Sequence, residues 1–390
     1  MIPYGRHHID QDDIDAVVDV LRNGALTQGP VVEAFERAIA EYVGAEYAVA
    51  VSSATAGLHL AALVAGVGPG AGLITTPITF VASANAALYA GGDPQFADID
   101  PTTLNLSPDS LKEALTRHPD TRAIIPVHFG GLPCDMVRIE EVASRAGAVV
   151  IEDAAHALGA TYADGRRVGC CANSLMTVFS FHPVKLIAAG EGGLITTNDP
   201  GVYRRLLRLR SHGINKATDP LIRTELAMTG ATANPWYYEM QELGYHYRIT
   251  DIQCALALSQ LKKLERFIER RRELARFYDS EFAGCKNLQP AQPIGRENSS
   301  HHLYVVRIDF ENAGTSRADL MLELRSRGIG TQVHYIPVTD QPVYERRGCR
   351  TADFPAAAAY YEQALSIPLY FGLTDEQQSM VIQTLRESVG

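Results

Sequence analysis

The sequence predicts an α/β protein in two parts: a large domain with a mainly parallel sheet flanked by helices, and a smaller α+β C-terminal domain. Three observations carry this. At 390 residues the chain exceeds the ~100–200 of one ordinary domain. Through its first half, short apolar runs alternate with stretches of helical period, the pattern of strands buried on both faces and joined by crossover helices. Beyond residue 240 that alternation ends. We set the boundary at 245, giving a large domain over 1–245, whose first residues are free to pack on the small one, and a small domain over 246–390.

The elements follow in order. Asp10 to Asp13 precede Ile14, Val17, Val18 and Leu21, an acidic start and an apolar stripe that together predict a helix. AVAVSS (48–53) reads as a strand followed by the helix TAGLHLAALVAG, and GLITTP (72–77) with FVASANAALYAGG repeats the pair. AIIPVHFGG (123–131) with MVRIEEVASRAG repeats it again, and AVVIED (148–153) closes the series. One long helix is predicted from Ile249 to about Phe282. After it come the Pro-rich QPAQPIG, the strand LYVVRIDF, a helix around MLELRSRG, the strand-like GTQVHYI and two terminal helices.

Composition excludes several function classes. The net charge is −10, and no basic block with interleaved aromatics is present, which argues against nucleic acid and anionic membrane as partners. No run of ~18 apolar residues could span a bilayer. The opening MIPYGRHHIDQDD has no basic segment followed by an apolar core, so no signal peptide is expected and the predicted location is cytoplasmic. The six cysteines include Cys170-Cys171 but no C-x-x-C, which fits reduced thiols better than a disulfide frame or zinc site. His7-His8 and His301-His302 lack a carboxylate or cysteine at ligand spacing, so no metal is predicted.

In an open parallel sheet, ligands lie beyond the carboxyl ends of the strands, and three such ends carry unusual residues. AVVIED-AAHALG places Glu152 and Asp153 at a strand end with His156 three residues on; an acidic helix cap explains Asp153 alone equally well. TVFSFHPVK places Ser180, His182 and Lys185 beyond another strand. VSSATAGLH puts small hydroxyl residues at a strand-to-helix turn, where backbone N–H groups suit a phosphate, although serine and threonine cap most helices. Lys185 is flanked by Val184 and Leu186 and meets no other charge until Glu191, so burial would lower its pKa and let it attack a carbonyl. A lysine for a Schiff base, a carboxylate for a pyridinium nitrogen and a phosphate nest are the parts that pyridoxal phosphate (PLP) needs. Phe80, in PITFVASAN, is a candidate to stack on its ring. GVGPGAG follows a helix rather than a strand, and no G-x-S-x-G surrounds Ser180, so neither a dinucleotide site nor a hydrolase triad is predicted.

The motifs SSATAGLH, PITFVASAN, IIPVHFGG, IEDAAHALGA, FSFHPVK…GEGG, GYHYRITDIQCALALSQLKKL and RGIGTQVHY occur in the order of the DegT/DnrJ/EryC1/StrS family of PLP-dependent nucleotide-sugar aminotransferases, which the chain resembles over nearly its whole length. The resemblance implies a fold-type-I PLP-dependent transferase whose residues 1–245 form the PLP-binding domain. It implies that Lys185 forms the Schiff base, that Asp153 pairs with the ring nitrogen, and that Thr55, Ala56 and Ser180 hold the phosphate. Phe80 would stack on the ring and His156 lie beside it. It further implies a homodimer with shared active sites, in which the Y-x-Y-R segment of one subunit reaches the cofactor phosphate of the other. Many relatives carry asparagine there, where this chain has His246. Arg248 is a candidate anchor for a carboxylate or phosphate, and His182, Tyr335 and Tyr237-Tyr238 are candidate substrate walls.

Within the family, HPVK with GEGG, WYYEMQELGYHYRITDIQ, QVHYIPV…QPVY and ALSIPLYFGLTDEQ are most similar to members of the pseudaminic-acid pathway. These imply L-glutamate as amino donor, a UDP-linked 4-keto-6-deoxy-N-acetylhexosamine as acceptor, and pyridoxamine phosphate between the two half-reactions. The alternatives are a UDP-4-keto-pentose of lipid A modification, a GDP- or dTDP-4-keto-6-deoxyhexose, and a non-catalytic PLP-binding homologue. Family dehydratases replace the lysine by histidine, so the intact Lys185 speaks against that chemistry.

Overall fold

The apolar runs of the first half become strands β1 (Tyr47–Val51), β2 (Gly72–Thr75), β3 (Pro94–Phe96), β4 (Thr121–Ile124), β5 (Val149–Asp153), β6 (Met176–Ser180) and β7 (Gly193–Thr197) in a computed structural model that describes residues 1–216 and 219–390. They form one seven-stranded sheet in the order β1-β7-β6-β5-β4-β2-β3. Neighbours from β3 to β6 run parallel, whereas β7 is antiparallel to both β6 and β1.

Helices α1 (Gln11–Asn23), α2 (Pro30–Val43), α3 (Ala54–Val64), α4 (Val81–Tyr89), α5 (Pro108–Arg117), α6 (Met136–Arg145) and α7 (Pro200–Arg210) accompany this sheet. Ala48 and Ala50 of β1, Phe179 of β6 and Leu194 of β7 pack with Phe35 and Ile39 of α2. The intervening Val49, Val51, Val178 and Ile195 pack with Leu58 and Leu60 of α3. Both faces are covered, which is why the strands read as unbroken apolar runs.

A second, three-stranded antiparallel sheet joins Leu288–Pro290, Tyr304–Ile308 and Ala364–Ile367. Its core takes Leu274 and Tyr278 from one helix, Leu320 and Leu324 from another, and Val381 and Leu385 from the last. Ile2 packs in the same core, and its N–H reaches the Gly328 carbonyl at 2.7 Å.

The structure departs from the sequence reading in three places. The helix predicted from Ile249 to Phe282 is two, Asp251–Leu261 and Leu264–Phe282. The first gives Cys254 and Ala257 to the core of the large sheet, while the second gives Leu274 and Tyr278 to that of the small one. Lys263 at the junction points its ammonium at Asp13 (2.9 Å) and Asp10. That pull also explains the second departure: α1 buries Asp13 and Val20, and leaves Ile14 and Leu21 of the predicted stripe 48% and 56% exposed. Third, GTQVHYI is not a strand; among the described residues its only ladder contact is Gln332 with Ser366.

Asp13 is fully buried and also accepts from Gln260 Nε2 at 2.6 Å. Replacing Lys263 by methionine leaves this carboxylate without its cation, and we expect a loss of about 3 kcal/mol, read as a lower urea midpoint at unchanged slope.

Candidate active site

Parallel strands end at one edge of a sheet, and the loops after β1, β2, β5 and β6 meet the small unit there around a cavity of about 410 Å³. The antiparallel β7 begins at this edge, with Gly193 opposite both Val51 and Ser180. A Cβ on Gly193 would lie 2.4 Å from the Ser53 carbonyl carbon, so only glycine lets the turn into α3 come this close. Ser53 caps that helix by accepting the Ala56 N–H at 3.1 Å, and Gly57 N–H bonds the Ser53 carbonyl. Ala54 and Thr55, both lining the cavity, keep the unengaged donors of the first turn.

Lys185 stands in a turn closed by its own N–H on the His182 carbonyl at 2.8 Å. Burial lowers its pKa to about 8, and the charge of Asp153 keeps it from falling further. Asp153 is buried at the end of β5, where it accepts the Ser83 hydroxyl at 2.6 Å and the Ala155 N–H at 3.0 Å. Thr79 Oγ1 in turn lies 2.8 Å from Ser83 Oγ. The adjacent Glu152 points to the other face of the sheet and belongs to the scaffold. It accepts from Thr177 (2.9 Å), Ser174 (2.5 Å), His128 Nε2 (2.8 Å) and the Tyr162 hydroxyl. Since the Cys134 N–H occupies His128 Nδ1 at 3.0 Å, the ring proton sits on Nε2 and faces Glu152.

The small unit contributes His302, His334 and Tyr335 to the cavity wall. The Tyr335 hydroxyl lies 3.0 Å from His156 Nε2, and the His302 ring is 4.4 Å from that of His156. Burial first, then the charge of Lys185, depresses His156 and His302 well below the usual imidazole range, and His334 to about 3. All three are therefore neutral.

The structure gathers Thr55, Phe80, Asp153, His156, Ser180, His182, Lys185 and Tyr335 around one cavity. Phe80 is 57% exposed although it precedes a helix of the core, which leaves its ring free to cover a ligand. Ala56, His246 and Arg248 are not brought to it. Ala56 turns its methyl into the core and spends its N–H on Ser53. His246 is exposed and stacks on His212 at 5.4 Å. Arg248 lines a separate cleft with Glu36 and Arg210. Tyr237 and Tyr238 also lie elsewhere, the former bonded to Glu239 at 2.9 Å. Sequence reasoning missed Thr79, Ser83, His302 and His334. Only Ser83 carried a signal, one helical turn beyond Phe80.

A carboxylate with lone pairs to spare, an amine of lowered pKa and free helix N–H groups match what PLP asks for its ring nitrogen, aldehyde and phosphate. The comparison with known proteins agrees. Residues 7–386 match the DegT/DnrJ/EryC1/StrS aminotransferase family. The chain belongs to that family. A spore coat polysaccharide biosynthesis protein of Bacillus subtilis, SpsC, is 41% identical over 100% of this chain and 97% of its own. Spr1654 of Streptococcus pneumoniae, assigned as a sugar aminotransferase and solved in its PMP form, is 31% identical with a TM-score of 0.89, covering 100% of this chain and 99% of that one. It has also been solved in its PLP form. Helicobacter pylori PseC, an aminotransferase involved in pseudaminic acid biosynthesis, is 29% identical with a TM-score of 0.89 over 100% and 99% of the two chains. The protein is thus a PLP-dependent aminotransferase with the fold-type-I architecture that the sequence predicts.

Two outcomes follow from the geometry. Gly193→Ala should weaken PLP binding at least tenfold and lower Tm, measured by cofactor titration and calorimetry, because the added methyl must displace the turn into α3. The apoprotein should capture PLP faster as pH rises through about 8, where Lys185 gives up its proton. A capture rate flat from pH 6.5 to 9 would contradict the lowered pKa.

Proposed function

We propose that the protein transfers the amino group of L-glutamate to C4 of UDP-2-acetamido-2,6-dideoxy-β-L-arabino-hex-4-ulose, giving UDP-4-amino-4,6-dideoxy-N-acetyl-β-L-altrosamine on the route to pseudaminic acid. The observation that carries this reading is the full-length likeness to Helicobacter pylori PseC. SpsC favours a second reading, the same chemistry on another nucleotide-linked 4-keto sugar destined for a surface polysaccharide. The proposed location is cytoplasmic; the six cysteines are free, and no described helix is long and apolar enough to cross a membrane.

When bound, PLP supplies an electron sink for the bond broken beside the transferred nitrogen. Asp153, fixed by Ser83 and Ala155, holds the proton on the ring nitrogen. The N–H groups of Ala54 and Thr55, with the Ser180 hydroxyl, bind the phosphate, and Phe80 covers the ring. Lys185 Nζ, freed as an amine, takes the proton from Cα of glutamate and in the second half returns one to C4 of the sugar. Its lowered pKa leaves a useful neutral fraction near pH 7.5. 2-Oxoglutarate leaves before the sugar enters, so the kinetics are ping-pong.

The reading includes a homodimer. His246 and Arg248 fall short of their own cavity, and Trp236, Met240 and Leu243 stand 73%, 65% and 75% exposed on the segment before them. A second copy that receives this segment would cover these side chains and bring His246 to its cofactor phosphate.

The test is a panel of UDP-, dTDP- and GDP-linked 4-keto sugars with glutamate as donor. The UDP-N-acetyl sugar named above should give the highest kcat/KM, and Lys185→Ala should lower turnover at least about 10³-fold. Preference for a dTDP- or GDP-linked sugar would replace the first reading by the second. A protein that takes up PLP but releases no 2-oxoglutarate would remove both.

A further inference from the structure

We propose that His59 is a positioning residue that acts on the neighbouring subunit: it grips the segment 245–247 so that His246 is aimed at the cofactor phosphate of a second copy. The inference deepens the homodimer reading given above and rests on it. It begins with a histidine out of keeping with its helix. In ATAGLHLAALV, the sequence of α3, His59 is the one side chain that can carry charge, and it is 4% exposed. Burial lowers its pKa, so the imidazole is neutral near pH 7. A buried imidazole needs hydrogen bonds to offset its lost hydration, and an apolar residue would fill the place without that requirement. The bond comes from outside the helix: the Tyr247 hydroxyl lies 3.2 Å from His59 Nδ1. The same ring meets those of Tyr245 and Tyr247 edge-on at 4.7 and 5.9 Å, and the two tyrosines stack on each other at 5.0 Å.

His246 stands between these tyrosines in extended chain, so its side chain points the other way. Tyr245 and Tyr247 turn in to α3, while His246 is exposed and stacks on His212. Backbone bonds set where the segment lies. The Tyr245 N–H reaches the Leu209 carbonyl at 2.7 Å, the Tyr247 N–H the Arg210 carbonyl at 3.0 Å, and the Ser52 N–H the Tyr247 carbonyl at 2.8 Å. The hold of His59 on both tyrosine rings sets which way His246 faces.

The consequence falls on the other site. His59 does not line its own chain's cavity, and His246 does not reach it. A loss of aim is therefore felt where the segment is received. Position 59 lies one helical turn beyond Thr55 on the same side of α3. The helix whose first turn offers N–H groups to one phosphate thus also directs the histidine meant for the next.

The test uses hybrid dimers isolated through two different tags. One chain carries Lys185→Ala, so the visible band of lysine-bound PLP reports the other chain alone. Adding His59→Leu to the Lys185→Ala chain should weaken PLP binding at the remaining lysine about threefold to tenfold, the worth of one neutral hydrogen bond. Adding it instead to the lysine-bearing chain should leave that binding unchanged. The reverse pattern, or equal affinity in the two arrangements, overturns the proposal. His59→Asn, whose amide still meets the Tyr247 hydroxyl, should restore binding, and an asparagine as weak as leucine overturns the proposal too. If His59→Leu does not fold, Tyr247→Phe decides in its place, with the same two arrangements and the same expected pattern. His246→Ala tests the dimer reading separately. If it weakens binding from the Lys185→Ala chain and His59→Leu does not, the reading stands and this inference falls. If it has no effect there, or no hybrid dimer forms, the reading falls and the inference with it.

Discussion

The site depends on holding an amine half-buried at the wall of a cavity. Moving the Lys185 pKa from 10.5 to about 8 disfavours its charged form by on the order of 3 kcal/mol. Asp153 sets the limit of that shift. Were the two in direct contact, the ion pair would raise the pKa further; both line one cavity with no ion pair between them, and the carboxylate only tempers the effect of burial. The amine keeps its lowered pKa.

That separation is a property of strand geometry. Successive residues of β5 point to opposite faces, so the adjacent carboxylates Glu152 and Asp153 have different fates. Glu152 is buried among four donors. Desolvation opposes its charge, yet the bonds from His128, Ser174 and Tyr162 outweigh it and hold the carboxyl below its usual range. Asp153 receives only Ser83 and Ala155, and retains the capacity to accept from a ligand. One dipeptide thus fixes the strand to the scaffold and aims the functional group.

The small unit is joined to this arrangement through Arg271. Its guanidinium, 3% exposed, donates to the carbonyls of His301 (3.2 Å), His302 (3.3 Å) and Leu369 (2.9 Å). Burial pulls its pKa to about 10, and carbonyl oxygens take the place of a counter-ion. The helix Leu264–Phe282 thereby holds the loop bearing His302 against His156. Packing of the small core and the hydrogen bonding of the cavity are thus set by the same helix.

By itself the sequence determined the large sheet, because strands buried on both faces leave unbroken apolar runs, and it determined Lys185, Asp153 and Phe80 as candidates, because each follows such a run. The family was legible for the same reason: its motifs are local. Only the tertiary structure decided which candidates share a cavity. Ala56 sits in the same motif as the cavity residue Thr55, yet its N–H is consumed by a cap, and His246 and Arg248 share a motif none of whose residues reaches their own chain's cavity. Ser83 and His302 reach the site through contacts 70 and 146 residues away in sequence, to Asp153 and His156. The tautomer of His156 depends on one N–H of Gly130. A motif records the spacing of neighbours along the chain, whereas direction and hydrogen-bond occupancy are set by groups that only folding brings together.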